Sequence, residues 1–569
     1  MDKWPMPIIA PPFGPLHESK PGSQLSFAAM KPWMAALLRI PVILLFCTVS
    51  LPCLAAELSK LRDAARDHKR RIVVQLDAAD HRHINAAPDE FLRYIFAYVD
   101  EPGSQIDTIV WDMGLDDESA VYPSRVLPPT PDKQIRKWQQ AGFEWVGAVV
   151  RECHKRHIEA FWNHRFSEVD VDADGKLEMK QLHPVKAAHP DWLIRSWWWQ
   201  GLWNPASPGV RAMKVAILRE LSETYDFDGI QIDFARHIPA LPPGRQWDNR
   251  EGVTEFLRAI RTMLVQVERS RGRPVLLSVK VPRTPEGAHE DGFDVAQWSK
   301  ERLVDLLTLG TRSMDVDLEG YRRMTRGSGI KLMPCFDDHH ATDGYRFASI
   351  EFLRGVFSNW WQQGADSVTT FNWGVGPPEW ALRVGDSAAP ATHGQAYREI
   401  GAPETMRGKD KTFAVERRGG YPWAEGYFGR NDDAPLPLKL PNDGRLSNFT
   451  IRVSDKIPAA ASTLQLVLFG SSPDDSLEVR LNGTILVSPT KSAWRDPQIF
   501  SPKPQPNSGG SGYFAVNPAQ KLLRLQYGLP AESIRVGKNR VNISVLGRAP
   551  YPPGDDIQVE KIEIALHSQ

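Results

Sequence analysis

FDGIQIDF, residues 227–234, sets Ile230 and Ile232 against Gly229, Gln231 and Asp233. That is the two-residue period of a β-strand, in which successive side chains point to opposite faces. One face is apolar and the other ends in an acid. Seven other stretches have the same look: RIVVQLDAAD (71–80), IDTIVWDMG (106–114), IEAFWNHR (158–165), PVLLSVKVPR (274–283), LVDLLTLGTR (303–312), IKLMPCFDD (330–338) and ADSVTTFNWG (365–374). Between them lie polar, helix-periodic segments such as VRAMKVAILRELSETY and TEFLRAIRTMLVQVERS. Eight strand–helix units in one stretch predict a (β/α)8 TIM barrel. A doubly wound sheet is the competitor, but no Gly-rich phosphate loop follows the first strand.

The strands agree on a parity. Ile72, Val74 and Leu76 alternate with Val73, Gln75 and Asp77; Val275, Leu277 and Val279 with Leu276, Ser278 and Lys280; Leu332, Pro334 and Phe336 with Met333, Cys335 and Asp337. With the apolar set toward the helices, the other set points inward and ends in a charge at the strand's C-terminal end. This places Asp77, Asp233, Lys280 and Asp337 around one mouth, where barrel enzymes keep their active sites.

At 569 residues the chain is expected to hold more than one domain. From about Lys411 alternating strands dominate: TLQLVLFG, LEVRLNGTILV with an Asn482-Gly483 turn, NRVNISVLG and VEKIEIAL. These predict a C-terminal antiparallel β-sandwich over 411–569, after a barrel over 57–410. The stretch from Met30 to Ala56 has a basic start, an apolar core and small residues at its end, and reads as a signal peptide. Residues 1–29 are a Pro-rich, unpatterned preface, consistent with Met30 as the true start. The expected location is secreted or periplasmic, with no stable membrane span after cleavage. Lys+Arg and Asp+Glu are both 69, and this balance argues against a nucleic-acid partner. Only Cys153 and Cys335 remain beyond the signal, too few for a disulfide framework.

An inward acid at a barrel mouth is costly unless a substrate, a metal or a fixed cation faces it; the bland alternative for Asp233 is a turn cap or a pair with Arg236. Glycoside hydrolysis needs two carboxyl groups flanking the bond. Asp233 supplies one; Asp337 or Asp338 in CFDDHH supplies the other, with Asp112, Glu286 and Asp291 as further possibilities. Lys280 and Arg283 would hold Asp233 ionised. Metal-dependent hydrolysis is the rival: His81 and His83 form an HxH after strand one, but strand five ends in Lys280 and Arg283, strand six in Thr311 and Arg312, and strand eight in Asn372. No metal or other cofactor is expected. Asp170, Asp172, Asp174 and Gly175 resemble a calcium loop, yet its twelfth position is Gln181 rather than Glu. Of the 19 tryptophans, Trp199 in WWWQGLWNP (197–205) and Trp373 are candidate sugar-stacking surfaces. Asn163, Arg165, His237 and Asn372 are candidate polar contacts, joining Asp77, Asp112, Lys280 and Arg283.

The fourth strand resembles the DGxDxDxE of family 18 chitinases, but Ala235 stands where that family has its acid Glu. FDGIQIDFARHIP, FWNHR, HPDWL (189–193) and REIG together resemble the family-10-like glycoside hydrolases, the "glycosyl hydrolase-like" barrels of exported bacterial proteins. That resemblance, over about residues 70–405, implies a barrel hydrolase acting on a polysaccharide or oligosaccharide, and an accessory role for the sandwich. The alternative is a non-catalytic carbohydrate-binding barrel with a second sugar-binding module. Turnover separates the two.

Overall fold

In the computed structural model the described residues are 51–76, 84–112, 119–167, 184–196, 200–235, 237–311, 313–337, 345, 347–386, 388–417, 433–455, 461–496, 499, 521–549 and 556–568. Eight parallel strands close a barrel: β1 (Ile72–Gln75), β2 (Ile106–Asp112), β3 (Glu159–Arg165), β4 (Gly229–Asp233), β5 (Leu276–Val281), β6 (Leu306–Leu309), β7 (Lys331–Asp337) and β8 (Val368–Phe371). Each pairs with its neighbours in sequence, and β8 closes on β1. The expected (β/α)8 barrel is therefore present, on all eight predicted stretches.

The parity also holds. Ile72, Val74, Ile230, Ile232, Leu277, Val279, Leu332 and Phe336 lie in the large core between strands and helices. Val73, Val110, Phe161, Leu276, Leu306 and Met333 form a separate apolar cluster inside the barrel. Gly229 faces that cluster: a Cβ there would sit 2.6 Å from Cζ of the Phe161 ring. The ring of one strand thus fills the space left by the missing side chain of the next. Ala65, on the helix Leu51–Asp67, packs against the same cluster from the N-terminal end. Arg70 follows that helix and forks onto Glu159 at 2.6 and 2.7 Å.

The two acids of FDGIQID do different work at opposite ends of one strand, about 16 Å apart at the strand's rise per residue. Asp228, at the N-terminal end, accepts from the Ala160 N–H at 2.9 Å and from Arg273 at 3.0 Å, and pairs with His154 Nε2 at 2.9 Å. Burial would raise its carboxyl, but His154, the Ala160 N–H and Arg273 outweigh it and hold it low. The hydrogen bond to Asp228 correspondingly raises His154. Asp228 is thus a pin between β3 and β4.

After the short helix Pro403–Met406 the chain enters two antiparallel sheets. One contains β9 (Lys411–Ala414), β10 (Leu438–Lys439), β12 (Ala461–Phe469), β15 (Thr490–Trp494), β16 (Leu522–Leu529) and β18 (Gln558–His567). The other contains β11 (Ser447–Val453), β13 (Ser476–Leu481), β14 (Thr484–Leu486) and β17 (Gly537–Gly547). Their inner faces share one core that includes Leu464, Leu466, Val479, Val541 and Ile564. Asn482 and Gly483 join β13 to β14 with φ of 53° and 92°, the left-handed pair a two-residue hairpin turn needs. The predicted C-terminal sandwich is present. Among the described residues no helix is long and apolar enough to cross a membrane.

Gly229→Ala is expected to cost about 1–3 kcal/mol, because the Phe161 ring has no room to withdraw in the barrel interior. Urea unfolding compared with wild type measures it, and an unchanged midpoint would mean the floor is loosely packed.

Candidate active site

The barrel interior changes character along its axis. Two residues above the apolar floor comes a polar layer with Gln75, Asn163, Gln231, Ser278 and Thr308, all buried. Inside a closed barrel these groups must satisfy one another. Gln231 Nε2 donates to Gln75 Oε1 at 3.1 Å and to Asn163 Oδ1 at 2.9 Å. Its own Oε1 accepts from Thr308 at 2.7 Å and Ser278 at 3.2 Å. The amide of Gln231 is thereby fixed in orientation by strands β1, β3, β5 and β6.

The charged residues stand on this layer. Gln75 Nε2 reaches across from β1 to donate to Asp233 Oδ2 at 2.8 Å, and the Ala235 N–H donates to Oδ1 at 2.8 Å. Lys280 Nζ donates to Gln75 Oε1 at 3.0 Å and lies 3.8 Å from Asp233 Oδ2. The ammonium also sits 4.1 Å over the Phe371 ring. Burial alone would push the Asp233 carboxyl up. Lys280, the Gln75 amide, Arg165 and the Ala235 N–H together overcome that and hold it below the usual carboxylate range. Asp233 is therefore an ionised acid that is only 1 % exposed.

A second ionic pair adjoins the first. Asp112 accepts from Arg165 Nε at 2.9 Å and from Asn163 Nδ2 at 2.8 Å, and Arg165 is the register neighbour of Asp233. Asp337, at the end of β7, accepts from Asn372 Nδ2 at 3.1 Å. Asn372 takes φ of 62°, a left-handed conformation that Asn tolerates better than most residues and that aims its amide at this acid. Cys335 lies one layer below on β7. Burial pushes its thiol up to about 12; Lys280 opposes the shift and the carboxylates of Asp337 and Asp233 add to it. Both acids and the ammonium thus act on the same buried sulfur.

The structure brings together Asp112, Asn163, Arg165, Asp233, Lys280, Asp337 and Asn372 from the sequence-derived set. Asp77, Asp338 and Trp199 lie outside the described residues, as do His81, His83 and the calcium-like segment. Three placements depart from expectation. Arg283 is engaged elsewhere than expected: β5 ends at Val281, and the buried guanidinium donates to the Asp315 carbonyl, at 3.0 Å, and to Asp433. Arg165 is among the groups that hold Asp233 ionised. Trp373 is buried and stacked on His393 at 4.4 Å, so its ring packs the core rather than a sugar. His237, also buried, places Nδ1 2.9 Å from the Ser167 carbonyl and so ties the loop after β4 to the end of β3. Of the other acids considered, Glu286 is exposed on the helix Pro285–Glu290 and Asp291 is buried just beyond that helix.

The residue that sequence reasoning missed is Gln75. Its signal was present, since a glutamine at an inward position of an apolar strand must have polar company. Among the described residues no three His, Cys, Asp or Glu side chains cluster as metal ligands would.

These features define a (β/α)8-barrel protein with a buried, acid-bearing mouth. Residues 100–249, from just before β2 to the loop beyond β4, match the family described as Glycosyl hydrolase-like 10. Over that segment the resemblance seen in the sequence is confirmed. No curated protein sequence matches the chain. Among solved structures, the α-L-fucosidase isoenzyme 2 from Paenibacillus thiaminolyticus is similar at 15 % identity and a TM-score of 0.41, covering 63 % of this chain and 55 % of that one. A cycloisomaltooligosaccharide glucanotransferase from Paenibacillus sp. gives 10 % and 0.34, covering 87 % and 57 %. The PgaB (BpsB) glycoside hydrolase domain from Bordetella bronchiseptica gives 12 % and 0.38, covering 59 % and 99 %. The chain thus spans little more than half the length of the first two. At these values none of the three bears on the chemistry.

Lys280→Met should move the Asp233 carboxyl upward, because it removes the strongest of the groups that favour its charge. In wild type the folded pKa lies below the unfolded value of about 3.9, so ionised Asp233 stabilises the fold above that pH. The contribution disappears as pH falls through the folded value. In the variant the acid limb of the stability profile is expected at higher pH, with a loss of about 3–5 kcal/mol at pH 7. Urea unfolding from pH 3 to 8 reads both, and superimposable profiles would remove Lys280 from the account.

Proposed function

We propose that this protein hydrolyses glycosidic bonds in a polysaccharide or oligosaccharide, with Asp233 as the ionised carboxylate of the reaction. The observation that carries the reading is a buried carboxylate kept charged at the C-terminal mouth of a barrel, on a strand that lies within the glycosyl hydrolase-like match. Carboxylates kept charged against burial are concentrated at active sites, and this one stands at the end of the barrel where such sites lie.

In this scheme Asp233 attacks the anomeric carbon while a second acid, Asp337 or Asp338, protonates the departing glycosidic oxygen. Deprotonated by that step, the second acid takes a proton from water, and the water oxygen displaces Asp233 from the sugar. The carboxylate returns ionised and the acid protonated. Gln75 and the Ala235 N–H fix the orientation of the Asp233 carboxylate. Asn372 orients Asp337. Asp112 and Arg165, paired beside Asp233, are the polar groups that would meet sugar hydroxyls, with Asn163 holding Asp112 from below. The roles of the two acids can also be exchanged. The signal-like segment before residue 57 supports an exported enzyme, and so a substrate outside the cytoplasm.

Asp233→Asn is expected to lower turnover by about 10²–10⁴-fold with the circular dichroism spectrum intact. The assay is reducing-sugar release from a panel of polysaccharides by the chain from Leu51 onward. Equal release by both proteins would remove Asp233 from the mechanism. Binding without release by wild type would favour a non-catalytic carbohydrate-binding barrel instead.

A further inference from the structure

The sandwich touches the barrel at its mouth as well as along its side. On the side, β9 lies against the helix Ile350–Gln362 so closely that a Cβ on Gly355 would strike the Thr412 carbonyl. At the mouth, three successive barrel loops receive polar side chains from the sandwich. After β5, Arg283 pairs with Asp433. After β6, Ser313 Oγ donates to Glu416 Oε2 at 2.7 Å, and the Asp315 N–H donates to the same oxygen at 3.2 Å. After β7, the Tyr345 hydroxyl donates to Glu563 at 2.7 Å, and Lys561 Nζ sits 4.3 Å over the Tyr345 ring.

Two of these contacts are in series. Glu416 holds the N–H of Asp315, and the carbonyl of Asp315 accepts from Arg283 Nη1 at 3.0 Å. The backbone is tight here as well. Gly310, at φ 69°, would place a Cβ 3.1 Å from Arg283 Cβ, so the loops after β5 and β6 lie directly on each other. Glu416 is buried, and it is fixed from behind: the adjacent Arg417 donates twice to Glu560 of β18, from Nε at 3.1 Å and Nη2 at 2.7 Å. Arg283 stands three residues beyond Lys280 and Asp315 seven beyond Thr308. The sandwich therefore grips the segments that leave the strands carrying Lys280 and Thr308.

We propose that the sandwich is a working wall of the barrel mouth, and that Glu416 is a positioning residue that fixes the loop after β6 and, through Asp315, Arg283. On this view the sandwich is no detachable sugar-binding module. It sets the shape of the substrate groove on the β5–β7 side. The proposal rests on the mouth being the glycan site.

Hydrogen exchange on the full chain tests the grip, and steady-state kinetics on the glycan found in the panel test its use. Glu416→Ala removes the acceptor, whereas Glu416→Gln keeps one oxygen for Ser313 and Asp315. In the alanine variant, the amides of Arg283 and Thr284 and those at 313–317 should exchange about tenfold faster while β4 is unaffected. KM should rise by about tenfold with kcat little changed, and the glutamine variant should restore both. Asp433→Ala, at a side chain 53 % exposed, gives the same direction without emptying a buried site. Wild-type exchange in both alanine variants would overturn the grip; faster exchange with unaltered KM and kcat would overturn its use. If wild type neither cleaves nor binds any glycan, the hydrolase reading falls alone, and the exchange pattern still decides whether the grip exists.

Discussion

A side chain that points into a closed eight-stranded barrel has no solvent to retreat to, and most of this structure follows from that. Most inward positions of β1–β8 are filled with apolar groups that pack or with polar groups that bond one another. Near the N-terminal end the solution is apolar, with the Phe161 ring over Gly229. Toward the C-terminal end it is an amide and hydroxyl layer centred on Gln231. Because that layer is satisfied internally, it forms a fixed base for Asp233 and Lys280. A carboxylate held by two N–H donors beside an ammonium has little freedom to reorient, and it stays charged despite burial.

The same strand shows how position along the axis assigns a role. Asp228 and Asp233 are chemically identical and five residues apart. One sits where β4 begins, among His154, Arg273 and the Ala160 N–H, and locks two strands. The other sits where β4 ends, facing the interior above the polar layer. A parallel barrel places all strand ends of one kind on one side, so every inward acid at a C-terminal end joins the same mouth.

Beyond the barrel, the sandwich adds contacts of another type. The ionic and hydrogen-bonded links to Arg283, Ser313, Asp315 and Tyr345 come from residues more than seventy positions away in the chain. They bind loops rather than core. Loops that bear on a site gain precision when a second body of protein holds them, since loop ordering is otherwise taken from the substrate's binding energy.

The eight strands, their parity, the gathering of Asp233, Lys280 and Asp337 at one mouth and the Asn482-Gly483 hairpin were all legible in the linear chain. Each depends on local periodicity or turn chemistry, which a strand carries with it wherever it docks. Gln75 was legible as an inward residue but not as the group that links Asp233 to Lys280, because that link crosses the barrel from a strand about 160 residues away. The burial of Trp373 on His393, the pairing of Arg283 with Asp315 and Asp433, and the grip of Glu416 were decided only in three dimensions. Side chains at and beyond a strand's end escape its two-residue rule, and their direction is set by whichever distant partner the fold brings within hydrogen-bond reach.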